Sequence, residues 1–125
     1  MKFVVGGQIE KEAIAGEIRR LAGNKATSVT IMNDTEAAMA IKNGEADYYL
    51  GACNTGGGGA LAMAIALIGL DQCATIGMPG KILSNDEIIA HVKAGKKAFG
   101  FTGQDIDIVL PVIINTILSQ TIISR

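Results

Sequence analysis

The chain has 125 residues, of which 49% are hydrophobic and only 4% aromatic, and its formal net charge is −1. This length fits a single domain, 1–125, built around one core. The near-zero charge excludes strong electrostatic attraction to nucleic acid or to an anionic membrane surface. The chain enters an apolar run at Lys2 without signal-peptide architecture, so we expect a cytoplasmic protein.

Five short apolar runs of β type alternate with five helical runs along the chain. The predicted strands are Lys2–Val5, Ser28–Met32, Tyr48–Ala52, Cys73–Gly77 and Lys97–Phe101. The predicted helices cover approximately Ile9–Ala22, Thr35–Asn43, Gly59–Gly69, Asn85–Ala94 and Gly103–Ser119. This alternation predicts an α/β three-layer sandwich, in which a five-stranded parallel sheet of flavodoxin-like or Rossmann-like type has helices on both faces.

Several predicted helix ends carry a physical signal. The sequence has one capping box and two close variants, which are Ser84-x-x-Glu87, Asn33-x-x-Glu36 and Thr102-x-x-Asp105. Glycines that can adopt a left-handed conformation follow three of the helices, at Gly23, Gly44 and Gly95. These signals support the predicted order of the elements.

The two cysteines are expected to be reduced. Cys53 ends one predicted strand and Cys73 begins the next, which places them at opposite ends of the sheet and too far apart for a disulfide. Neither has a C-x-x-C partner and His91 is remote in sequence, so we expect no metal site. A Walker loop and a G-x-G-x-x-G after the first strand are also absent, so we expect no nucleotide cofactor.

Polar and glycine residues follow the predicted strands. Since ligands bind beyond the carboxyl ends of the strands in open parallel sheets, these residues are candidates for ligand binding. The candidates are Gly7, Gln8, Asn33, Asp34, Asn54, Thr55, Gly56, Gly57, Gly58, Gly59 and Thr102. For Asn33, Asp34 and Thr102, a role in capping a helix is the alternative.

The glycine run Gly56–Gly59, after the third strand, is the strongest candidate. Each glycine in a helix costs up to about 1 kcal/mol, so four in a row need another reason. They allow a ligand to approach the backbone closely, and the helix that follows offers unpaired N–H groups to an anion. We therefore expect a small phosphorylated or otherwise anionic metabolite at this loop, with contact to a neighbouring subunit as the alternative.

Two predicted helices have almost no polar face. Residues 60–68 carry no polar side chain, and residues 106–123 are interrupted only by a few polar positions. An amphipathic helix on a monomer shows a polar stripe. A domain of this size has too little interior to bury both helices, so we expect a symmetric homo-oligomer.

The segment from Asn33 through Met39, Lys42-x-Gly44, and the segment from Asp47 to Gly56 resemble the YhfU-like family of bacterial proteins of unknown function. The likeness extends through most of the chain and is most specific between Asn33 and Leu61. Because that family has no established activity, the resemblance implies no function.

A second, local likeness is more specific about chemistry. Gly44-Glu45-Ala46-Asp47 followed by 53–58 resembles a segment of the type B ribose-5-phosphate isomerase and galactose-6-phosphate isomerase family. This resemblance implies Cys53 as the catalytic base and the N–H groups of 55–58 as the site of the enediolate anion. A thiol beside a helix N-terminus is suited to that task, because the helix end favours the thiolate.

The chain departs from the isomerase pattern after its first strand. Gly6-Gly7-Gln8 stands where that family has an Asp-His pair. Three interpretations therefore stay open: a sugar-phosphate isomerase-like enzyme, a non-catalytic metabolite-binding or regulatory module, and a structural subunit of an oligomer.

Overall fold

The protein is described by a computed structural model over residues 1–54 and 57–123. Its strands are β1 (Lys2–Gly7), β2 (Ser28–Ile31), β3 (Tyr48–Ala52), β4 (Cys73–Thr75), β5 (Gly77–Met78), β6 (Lys81–Ile82) and β7 (Ala98–Phe101). Its helices are α1 (Lys11–Ala22), α2 (Asp34–Lys42), α3 (Gly57–Ile68), α4 (Asn85–Lys93) and α5 (Ile106–Ile123). Five of the strands form one parallel sheet in the order β2-β1-β3-β7-β4. The predicted α/β sandwich is confirmed.

The helices divide between the two faces of the sheet. α1, α4 and α5 pack on one face, and α2 and α3 pack on the other. This division follows from right-handed crossovers, because connections that move in opposite directions across the sheet must pass over opposite faces. β1 and β3 are neighbours whose following helices, α1 and α3, lie on opposite faces. The carboxyl ends of these two strands therefore border a topological switch point.

The sheet differs from the flavodoxin order in its last two strands, since β7 lies inside and β4 lies at the edge. β7 is suited to the interior because Ala98, Phe99 and Phe101 have no exposed surface. β4 has only three residues and ends at the half-buried Thr75. Burial of the apolar β7 on both faces therefore accounts for its central place.

Two predicted strand ends differ from the structure by two residues, each for a local reason. β1 continues past Val5 because Gly6 and Gly7 pair with Gly51 and Ala52 of β3. Gly77 is not part of β4 but of the antiparallel hairpin β5–β6. The turn of that hairpin contains Pro79 followed by Gly80, whose φ of 76° is accessible to glycine, and this order is typical of a type II turn.

The predicted glycine loop is also corrected. Gly57 and Gly58, expected before the helix, belong with Gly59 to the first turn of α3. Thr55 and Gly56 lie outside the described residues. α3 buries Ala60, Leu61 and Ala64 against the sheet. Packing of this apolar face outweighs the low helix propensity of glycine.

Tyr49 occupies a space that glycines leave free at the centre of the sheet. Gly6 pairs with Gly51, and a Cβ atom would lie 2.7 Å from the Tyr49 ring at Gly6 and 3.0 Å from it at Gly51. The Tyr49 hydroxyl accepts a hydrogen bond from the Gly7 N–H at 3.2 Å and donates one to the Ala60 carbonyl at 2.6 Å. One fully buried side chain thus connects the end of β1 to the first turns of α3.

The two apolar helices are buried to different extents. α5 packs between α1 and α4, and its Ile113, Ile114 and Ile117 have no exposed surface. α3 leaves Ala62 and Ala66 exposed. The homo-oligomer therefore stays a prediction, and its basis is now the partly exposed apolar surface of α3. Within the described residues, no helix is both long and apolar enough to cross a membrane.

Replacing Tyr49 with Phe is expected to lower the free energy of unfolding by about 1–3 kcal/mol, because the buried Gly7 N–H loses its acceptor. Tyr48→Phe is the matched control, since the half-buried Tyr48 hydroxyl has no hydrogen-bond partner among the described residues. Urea unfolding of the three proteins measures the difference. Equal stability of Tyr49→Phe and the unmodified protein would show that the bridge contributes nothing.

The stability of the fold is expected to fall as the pH rises from about 9 to about 11. Burial raises the pKa of Cys73 from 9.0 to about 11, and burial raises the pKa of Tyr49 further above its ordinary value of 10.0. The unfolded chain therefore releases protons that the folded chain still holds, which favours unfolding. Urea unfolding across this pH range measures the decline, and Tyr49→Phe should make it shallower above pH 10. A constant free energy of unfolding would contradict this account.

Candidate functional site

A crevice of about 310 Å³ lies at the carboxyl ends of β1, β3 and β7. Its described lining residues come from the loops after these strands and from the β5–β6 turn, and they are Ile9, Glu10, Asn54, Pro79, Thr102, Gly103 and Gln104. The crevice adjoins the switch point between β1 and β3, the usual place for a ligand in an open α/β sheet. Its volume is at the low end for ligand sites, which favours a small molecule.

The wall of the crevice that follows β1 is set by Gly7. This residue has a φ of 80°, and a Cβ atom on it would lie 2.6 Å from the backbone N and O of Ala52, so only glycine fits. The Ala52 carbonyl accepts hydrogen bonds from the N–H groups of Gln8 at 2.9 Å and Ile9 at 3.3 Å. The chain after β1 is therefore folded over the end of β3.

This path of the chain brings the loop that follows β1 against the loop that follows β7. A Cβ atom on Gly103 would lie 3.0 Å from Cδ1 of Ile9 and 3.3 Å from Cγ of Glu10. The absence of a side chain at Gly103 therefore allows the two loops to approach closely. Glu10 and Gly103 both line the crevice as a result.

Glu10 has an unusual backbone conformation. Its φ of 57° and ψ of 28° are left-handed, and no other non-glycine residue in the described ranges has a positive φ. The left-handed conformation costs a non-glycine residue roughly 1–2 kcal/mol. Glu10 is the N-cap residue of α1, yet its side chain makes no capping hydrogen bond. Residues in such strained conformations are concentrated at functional sites.

Thr102 forms the buried part of the opposite wall. Its hydroxyl donates a hydrogen bond to Oδ2 of Asp105 at 2.6 Å, and the Asp105 N–H donates to the Thr102 carbonyl at 3.1 Å. The predicted capping motif thus appears as a hydroxyl–carboxylate pair instead of a hydroxyl–amide pair. Because its proton is directed to Asp105, the Thr102 hydroxyl can only accept a hydrogen bond from a ligand.

Cys53 lies directly after β3, where the sequence places it, and its N–H donates to the Phe101 carbonyl at 3.2 Å. Its side chain has no exposed surface. Cys73 lies at the other end of the sheet, since it pairs with Ala98, which pairs in turn with Tyr49. Both cysteines are buried thiols. The catalytic role of Cys53 stays a prediction.

Asn33 and Asp34 lie at the start of α2, outside the lining of the crevice. The Asn33 side chain accepts from the Glu36 N–H at 2.8 Å, and Glu36 Oε1 accepts from the Asn33 N–H at 3.4 Å. The capping role of Asn33 is therefore confirmed. Oδ1 of Asp34 is buried without a hydrogen-bond partner in the described part of the chain. The Asp34 charge helps to raise the pKa of Tyr49.

The structure brings together only part of the predicted site. Asn54 and Thr102 line the crevice, and Gly7 and Gln8 shape its wall. Thr55 and Gly56 lie outside the described residues. The sequence reasoning missed Ile9 and Glu10, because it began α1 at Ile9. A non-glycine left-handed residue leaves no signal in the sequence that could have corrected this boundary.

A larger hollow, of about 400 Å³, competes with the crevice. It opens beside α2 on the side of β1 and β2 and is lined by residues that include Val4, Thr30, Met32 and Met39. It follows the length of an edge strand, whereas the crevice gathers the ends of three strands. Over 1–54 and 57–123, no group of three or more His, Cys, Asp or Glu side chains could hold a metal ion.

Comparison with known proteins identifies relatives without an assigned activity. Residues 1–117 match the family described as "Protein of unknown function DUF2620". The chain is 40% identical over 115 residues to the uncharacterized protein YhfU of Escherichia coli K12. The aligned region covers 92% of this chain and 97% of that protein. The YhfU protein of Shigella flexneri matches to the same extent.

Glu10→Gly is expected to raise the free energy of unfolding by about 0.5–1 kcal/mol, because relief of the left-handed strain exceeds the added entropy of the unfolded chain. The control is Glu12→Gly, which removes the same charge from the first turn of α1. That substitution should cost about 1 kcal/mol, since glycine is a poor helix former. Thermal and urea unfolding measure both. Destabilisation by Glu10→Gly would show that the strain is absent.

Proposed function

We propose that this chain, which belongs to the DUF2620 family of unknown function, binds a small phosphorylated or carboxylated metabolite in the crevice. The observation that carries the proposal is the crevice itself. A hollow of about 310 Å³ lies at a topological switch point, where loops from three parallel strands meet. Amide, hydroxyl and carboxylate side chains converge there with apolar ones, as in small-molecule sites.

The start of α3 is the favoured place for the anionic end of the ligand. Asn54 lines the crevice, and α3 begins three residues later at Gly57. The N–H groups in the first turn of a helix have no acceptor within the helix, and the helix dipole attracts negative charge there. Glu10, on another wall, repels an anion. Attraction at α3 and repulsion at Glu10 together favour a ligand whose anionic end points to α3 and away from Glu10.

The unpartnered oxygen of Asp34 indicates a bound water or a polar ligand group beside the start of α2, at a position outside the crevice lining. Buried polar atoms without a partner are rare, and each calls for an explanation. Asp34 follows β2 and acts electrostatically on Tyr49, whose hydroxyl contacts the end of β1. A donor supplied from outside the chain would satisfy this oxygen.

The geometry supports binding better than catalysis. An isomerase-like reaction at Cys53 requires its sulfur to contact the ligand, yet the Cys53 side chain is fully buried while the adjacent Asn54 is exposed. A binding or regulatory module needs only the lining residues. We therefore place the isomerase-like activity as the narrower form of the proposal. Retained binding with loss of turnover in Cys53→Ser would support that form.

Binding is expected to raise the midpoint of thermal unfolding. At 100 times its dissociation constant, a ligand stabilises the fold by about 2.7 kcal/mol, which shifts the midpoint by several degrees. The panel contains inorganic phosphate, sugar phosphates, small carboxylates and nucleotides. Asn54→Ala should reduce the shift. Asn24→Ala is the matched control, since Asn24 is an exposed amide before β2, at the opposite edge of the sheet.

Two results would contradict the proposal. One is a panel in which no phosphorylated or carboxylated compound moves the midpoint. The other is an equal loss of the midpoint shift in Asn54→Ala and Asn24→Ala. That result would show that the ligand does not bind in the crevice.

A further inference from the structure

We infer that the two walls that carry Glu10 and Thr102 recognise hydroxyl groups, so that the ligand is a hydroxylated phosphate or carboxylate and not a simple anion. This inference rests on the proposed function and names the chemical class of its ligand. It depends on which hydrogen-bonding groups the crevice still has available.

Glu10 provides the acceptors of the first wall. An ionised carboxylate has two oxygens that accept hydrogen bonds and has no proton to donate. The Glu10 carboxylate neither caps α1 nor has a hydrogen-bond or ion-pair partner in the described part of the chain. Glu10 is an exposed residue that lines the crevice, and its Cγ lies close to Gly103. Its oxygens are available to a ligand there.

Thr102 provides an acceptor on the second wall. A threonine hydroxyl is ordinarily both a donor and an acceptor. Here the proton is directed to Oδ2 of Asp105 at 2.6 Å, so the oxygen offers only its lone pairs to the crevice. The residue is only 6% exposed, so a ligand that excludes water must supply the donor to this oxygen.

The remaining polar side chains do not oppose this preference. Asn54 and Gln104 line the crevice, and each has a carboxamide that can present either its donor or its acceptor side. No basic side chain is found among the described lining residues. The described lining side chains of fixed polarity are therefore all acceptors, and a ligand complementary to them carries donors.

Hydroxyl groups are the donors that fit best. Two neighbouring hydroxyls can each donate to one oxygen of the same carboxylate, a bidentate arrangement that is stronger than two neutral hydrogen bonds. Glu10 is the one charged side chain among the described lining residues. A buried ammonium needs several acceptors around one nitrogen. A ligand with hydroxyls along its length and an anion at one end satisfies both the Glu10 wall and the start of α3.

The test compares three small phosphate esters by isothermal titration calorimetry on the full chain. Glycerol 3-phosphate carries two adjacent hydroxyls, n-propyl phosphate carries none, and phosphoethanolamine carries an ammonium in their place. We expect glycerol 3-phosphate to bind roughly tenfold more tightly than n-propyl phosphate, the effect of hydrogen bonds to a charged group. Glu10→Gln should remove most of this preference and raise the affinity for n-propyl phosphate, because the carboxylate no longer repels the anion.

Glu12→Gln is the matched control, since it makes the same change in charge on the first turn of α1, outside the crevice lining. It should keep the preference for glycerol 3-phosphate. Loss of the preference in Glu12→Gln as well would overturn the inference, because overall charge would then explain it.

The remaining outcomes separate this inference from the proposed function. Equal binding of glycerol 3-phosphate and n-propyl phosphate overturns the inference and leaves the proposed function standing. Tightest binding of phosphoethanolamine also overturns it, because the wall would then recognise a cation. If none of the three esters, no sugar phosphate and no carboxylate binds, the proposed function fails and the inference fails with it.

Discussion

The hydroxyl of Tyr49 is the contact on which the geometry of the crevice depends. Its ring fits the sheet because Gly6 and Gly51 carry no side chains, and its oxygen bridges the Gly7 N–H and the Ala60 carbonyl. Gly7 in turn folds the following residues over the end of β3. A buried residue that never contacts the crevice therefore determines where the β1 loop lies.

The contacts made by Tyr49 and Gly7 connect the core to the strained residue Glu10. The loop after β1 ends at Glu10, which accepts an unfavourable backbone conformation and gains no capping hydrogen bond in return. A glycine or an asparagine would be more stable there. The free energy stored at this position has a physical reason if the carboxylate acts on a ligand. Stability then favours glycine or asparagine at position 10, whereas ligand binding requires the glutamate.

The sequence predicts the alternation of strands and helices because local periodicity and capping reflect short-range physics. Asn33 and Ser84 each form the expected capping box. The sequence does not predict that β7 lies inside β4, since strand order depends on burial on both faces of the sheet. It also misplaces Gly57 and Gly58, because tertiary packing of α3 overrides their propensity. The sequence also does not reveal that the Glu10 side chain lies close to Gly103, which is 93 positions further along the chain.

The most direct test of the account is to map binding on the ¹⁵N-labelled chain by NMR, with glycerol 3-phosphate as the probe. The account predicts that shift changes are concentrated at 7–10, 54, 57–59 and 102–104, the segments that form the crevice and the start of α3. Changes concentrated instead at Thr30, Met32 and Met39 would assign the ligand to the hollow beside α2. That result, or the absence of any change at saturating concentrations of the probe, would contradict the account.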